Sequence, residues 1–137
     1  MLRQRVITAL IMLAVLVAAL WSTSPTPFFA LALAMMAAAA WEWARLNGTQ
    51  GAGALVVGAF MLAACALTWR AGWAAEPFAG WWLVTALWVV LGGLMIAAGV
   101  PGWSRLPAPL RLALGLPALW AAWLAVVQSR VVGVNYL

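Results

Sequence analysis

Residues 78–98 read FAGWWLVTALWVVLGGLMIAA, 21 positions without a charged side chain. As a helix this stretch rises about 30 Å, the thickness of a bilayer's hydrocarbon core. The rest of the chain is of the same kind. Of 137 residues 69% are hydrophobic and 7% charged, and the mean hydropathy is +1.09. A globule of this size cannot hide so much apolar surface and still cover itself with polar groups, so its solvent is lipid.

Four more apolar stretches flank this one. Val6 to Trp21 follows Arg3 and Arg5. Basic residues ahead of an apolar run also open signal peptides, but the cleavage-site pattern is poor and further spans follow, so a retained anchor is expected. Ser22 to Pro27 is a turn, because proline fixes its own φ and pushes the preceding residue out of the helical region. Residues 28–43 form the second span, ended by the turn signal Asn47-Gly48-Thr49. Residues 51–69 form the third and 78–98 the fourth. Gly99 to Pro109 reads as a loop. Residues 112–127 form the fifth span, where Pro117 should kink the helix. From Val131 to Leu137 the text turns apolar again, as at the start of a truncated sixth span. The expected fold is one all-α domain, a polytopic transmembrane helix bundle of about five spans.

Arginine sets the orientation. Arg3, Arg5, Arg45, Arg105 and Arg111 fall on one side of these spans, and Arg70 and Arg130 on the other. Five against two places the N-terminus in the cytoplasm. The net charge of +5 would suggest nucleic acid in a soluble protein. Here the arginines are scattered singly, and no nucleic-acid partner is expected. Eight of the eleven tryptophans lie at or near span ends, as in an interfacial belt. Trp88, Trp120 and Trp123 sit deeper and are expected to fill space between helices.

The absences limit the chemistry. The chain has no Lys, Asp or His, one cysteine (Cys65) and two carboxylates, Glu42 and Glu76. A Ser-His-Asp triad, a carboxylate–His metal site and an internal disulfide are all excluded. No catalytic residue and no metal ligand is expected in this chain. Cys65 reads as a small buried hydrophobe. The densest polar feature is Trp41-Glu42-Trp43-Ala44-Arg45-Leu46. On a helix Glu42 and Arg45 share a face and can pair, and Arg45 reaches Trp41 for a cation–π contact. This cluster is an interfacial anchor or a small platform for a lipid headgroup. Arg105 and Arg111 flank the fourth turn, where two guanidiniums can hold a lipid phosphate or simply mark topology.

Three pieces in order carry a family resemblance: Leu2-Arg3-Gln4-Arg5-Val6-Ile7-Thr8-Ala9-Leu10 opening the first span, Trp41 to Leu46 closing the second, and Ser129-Arg130 … Gly133 … Asn135-Tyr136-Leu137 near the end. Together they resemble the N-terminal half of bacterial phosphatidate cytidylyltransferase, or CDP-diacylglycerol synthase. The resemblance implies a multi-pass enzyme of the bacterial inner membrane that makes CDP-diacylglycerol and pyrophosphate from CTP and phosphatidate with Mg²⁺. The family's acidic and basic signature lies in its C-terminal half, and none of it maps onto this chain. The expectation is a membrane portion, inactive alone, whose partners are the bilayer, the two substrates and a missing C-terminal half. The rival reading is a small non-enzymatic scaffold or transporter subunit. Against a transporter, the spans hold no ionisable residue deep in the membrane.

Overall fold

The structure is a computed structural model that describes residues 2–76 and 78–133. Five helices account for nearly all of them: α1 (Leu2–Trp21), α2 (Thr26–Leu46), α3 (Ala52–Arg70), α4 (Trp81–Arg105) and α5 (Ala108–Val132). Prolines and glycines place the boundaries. Pro25 precedes α2, and its carbonyl accepts from Phe29 N at 3.0 Å. Past α2, Gly48 takes φ 90°, a conformation glycine adopts without strain, and Thr49 N folds back onto Ala44 O at 3.0 Å. Gly51 and Gly72, at φ 56° and 84°, bracket α3.

Two helices differ from the sequence reading. Residues 101–105, expected in a loop, are helical and follow a break at Gly99 (φ 61°, ψ −172°) inside α4. Only glycine holds that conformation cheaply, and Pro101 lies two residues on. By contrast α5 stays helical through Pro117 and runs on to Val132, so Gln128, Ser129 and Arg130 belong to its last turns. Residues 134–137, where most of the expected sixth span falls, lie outside the described residues.

Helix α2 lies at the centre of the packing, against α3, α5 and α1. Small residues allow the α2–α3 approach, as is usual between helices in lipid. Ala40, Ala44, Ala54 and Gly58 are buried, and a Cβ on Gly58 would stand 3.1 Å from both Ala37 O and Trp41 Cβ. Phe28, Phe29, Met61, Cys65, Trp123, Leu124 and Val127 fill the core. Cys65 is the small buried hydrophobe its context suggested. Phe29 meets Trp69 edge to face, centroids 5.3 Å apart. Helix α4 stands apart, with no buried residue from Trp81 to Gly99. Trp88 is therefore 66% exposed, which corrects the expectation that it fills space between helices. Trp123 is fully buried, and Trp120 donates from Nε1 to Thr68 Oγ1 at 3.0 Å.

The helices alternate in direction. Side-chain contacts tie the end of α5 to the end of α1, the α3–α4 connection and the start of α4, the end of α3 to the middle of α5, and the end of α2 to the start of α5. Arg45, Arg105, Arg111 and the first turn of α1, which carries Arg3 and Arg5, thus gather at one end. Arg70, Glu76 and Arg130 gather at the other. Four helices, α2, α3, α5 and residues 81–99 of α4, are long and apolar enough to cross a membrane. The apolar part of α1, Val6–Trp21, is shorter.

Candidate functional site at the arginine-rich end

The last turn of α2 builds this site. Ala40 and Ala44 are buried and Trp41 is half-buried with its Cβ beside Gly58 of α3, while Glu42 and Arg45 are exposed and Trp43 lies toward α5. Arg45 Nη1 pairs with Glu42 Oε1 at 3.1 Å, each side chain about half exposed (50% and 52%). The Arg45 guanidinium carbon lies 4.8 Å from the centre of the Trp41 ring. Both contacts are those the spacing predicts. Trp43 Nε1 donates to Arg111 O at 3.3 Å and so ties α2 to the first turn of α5. Gly115 is what permits this crossing, because any Cβ there would overlap the indole of Trp43. Asn47, buried at 8% exposure, donates from Nδ2 to Trp43 O at 2.8 Å and holds the turn beneath the cluster.

Glu42 and Arg45 are brought together, and Trp43 carries the backbone of Arg111 to them. The Nε of Arg111 is buried with no hydrogen-bond partner among the described residues. Arg105 is exposed at the end of α4, and its side chain joins no ion pair or hydrogen bond among the described residues. Since Glu42 neutralises Arg45, the charge left at this end is positive, and Arg111 has guanidinium donors to spare. Such an end attracts and can hydrogen-bond a phosphate.

The sequence reading passed over the polar node at the opposite end. Gln128 of α5, 7% exposed, donates from Nε2 to Trp73 O (2.8 Å) and Glu76 O (2.6 Å) and accepts from Trp81 Nε1 (2.7 Å). One amide thus fixes the α3–α4 connection and the first turn of α4. Arg130 Nη2 donates to Leu20 O and Ser22 O, both at 3.1 Å, and closes the end of α1. Helical spacing was the available signal, since Gln128 continues the stripe of half-buried Trp120 and buried Leu124 and Val127.

The donor set does not fit a divalent cation. Glu42 and Glu76 lie at opposite ends of the bundle, and Glu42 is engaged by Arg45. Among the described residues no three His, Cys, Asp or Glu side chains come together. An ion such as Mg²⁺ needs one or two carboxylates beside substrate phosphates, and this arrangement offers none in position.

Four lipid-length helices around a core of alanine, phenylalanine and tryptophan define a multi-pass membrane protein. The sequence profile of the cytidylyltransferase family matches residues 3–134, so the chain belongs to that family, whose members are CTP-dependent nucleotidyltransferases. No curated protein and no solved structure matches the chain.

Proposed function

We propose that the chain is the membrane portion of a phosphatidate cytidylyltransferase of the bacterial inner membrane, oriented with its arginine-rich end in the cytoplasm. In that reaction a phosphatidate oxygen attacks the α-phosphorus of CTP. The bond to the β-phosphate breaks, CDP-diacylglycerol forms and pyrophosphate leaves. The observation that carries this reading is the family match over residues 3–134, taken with an arginine-rich end where the buried Nε of Arg111 has no hydrogen-bond partner among the described residues. Arg111, supported by Arg105 and the Glu42–Arg45 pair, would hold the phosphate of the membrane-borne substrate. The acidic groups and Mg²⁺ site would come from a C-terminal half outside this chain, because these residues do not supply them.

The test uses nanodiscs containing phosphatidate. With labelled CTP and Mg²⁺ this chain alone should give no CDP-diacylglycerol, and the chain extended by the coding sequence beyond Leu137 should give it. In the extended protein Arg111→Gln should raise the KM for phosphatidate about tenfold, the effect of losing one charge-assisted hydrogen bond worth roughly 1.5 kcal/mol. Failure of the extended protein to form product would sink the proposal.

A further inference from the structure

Glu76 is the one carboxylate side chain at its end of the bundle, and it joins no ion pair or hydrogen bond among the described residues. Its backbone is fixed all the same. Glu76 O accepts from Gln128 Nε2 at 2.6 Å, and Trp73 O accepts from the same amide at 2.8 Å. Two cavities lie against it. One, of about 210 Å³, is lined by Trp73, Glu76, Phe78, Ala79 and Leu124. The other, of about 320 Å³, is lined by Glu76, Trp81, Ala125, Gln128, Val131 and Val132 among others. The aromatic rings are themselves held: Trp73 meets Trp120 edge to face with centroids 6.4 Å apart, and Phe78 meets Trp81 in the same way at 5.6 Å.

We propose that Glu76, Trp73 and Phe78 bind the ammonium headgroup of a zwitterionic phospholipid at the end of the bundle opposite the arginine-rich one, with the adjoining aliphatic cavity taking the apolar part of that lipid. Aromatic rings attract a cation, and a carboxylate adds a full opposite charge and strong acceptors. Aromatic residues at a membrane surface are ordinary by themselves. Here the Gln128 bonds place a free carboxylate on the wall that an aromatic and an aliphatic cavity share. The neighbouring cations leave it free. Arg130 Nη2 is turned to Leu20 O and Ser22 O, and Arg70 makes no ion pair with Glu76. A soluble cation would use only the aromatic cavity. An ammonium joined to an apolar body matches both, so the ligand is a lipid. The inference does not depend on the cytidylyltransferase reading, which uses the other end of the bundle.

Native mass spectrometry of the detergent-purified chain tests it, with phosphatidylethanolamine and phosphatidylglycerol titrated separately. Glu76→Gln should weaken binding of the first ethanolamine lipid about tenfold, the effect of losing one charge-assisted contact. It should leave phosphatidylglycerol binding, which the arginine-rich end favours, unchanged. Because Gln128 holds only the backbone of Glu76, the variant should keep the parent's Tm in lipid-free detergent. Trp73→Leu removes a ring and no charge, and should weaken the ethanolamine lipid about threefold. Unchanged binding of that lipid in Glu76→Gln would overturn the proposal. An equal loss for both lipids would overturn it too, since Glu76 would then support the bundle rather than recognise an ammonium. Free ethanolamine that competes as well as the lipid would overturn the assignment to a lipid.

Discussion

Gly115 and Trp43 show how one missing side chain places two helices. Gly115→Ala puts a methyl group into the indole and should cost about 1–3 kcal/mol by overpacking. Thermal unfolding in detergent measures this, and the loss should shrink in a Trp43→Ala background, because the two sites are in contact. Gln128→Leu strands a Trp N–H and two carbonyls and should cost about 2–3 kcal/mol. Glu42→Gln breaks a half-exposed pair and should cost less than about 1 kcal/mol in the same experiment. Residue-scale legibility was uneven for a physical reason. Glu42, Arg45 and Trp41 interact within one helical turn, so their spacing predicted the contacts. The partners of Gln128 are 47 to 55 positions away, and nothing local announces them. Trp88 was misread because depth in a span does not say which way a helix faces.

At the scale of the elements, apolar length and turn chemistry made all five helices visible. Their ends were harder. The fifth span was expected to end at Val127, yet Gln128, Ser129 and Arg130 are each used at the bundle end and α5 continues to Val132. Pro117 was expected to kink the fifth span and Gly99 to open a loop. The backbone yields at Gly99, where a positive φ is available only to glycine, and holds helical at Pro117. The alternating order of helices gives a topology prediction. Alkaline phosphatase fused after Gly72 should be active outside the cytoplasm, and fused after Gly48 it should be inactive. The reverse pattern would invert the orientation that five arginines against two imply.

For the molecule as a whole, the distribution of charge matters more than its amount. Both carboxylates were visible in the sequence, and so was their separation, since Glu42 closes the second span and Glu76 lies in the loop after the third; at opposite ends of the bundle they share no ion. The positive end likewise followed from counting arginines once the spans were known. The clasp of Arg130 on Leu20 O and Ser22 O joins positions 110 and 108 residues apart. Synthesis delivers the end of α1 long before the residue that clasps it. While the chain emerges from the ribosome, the end of α1 stays unfastened. A nascent chain halted before Arg130 therefore lacks this fastening of its first helix.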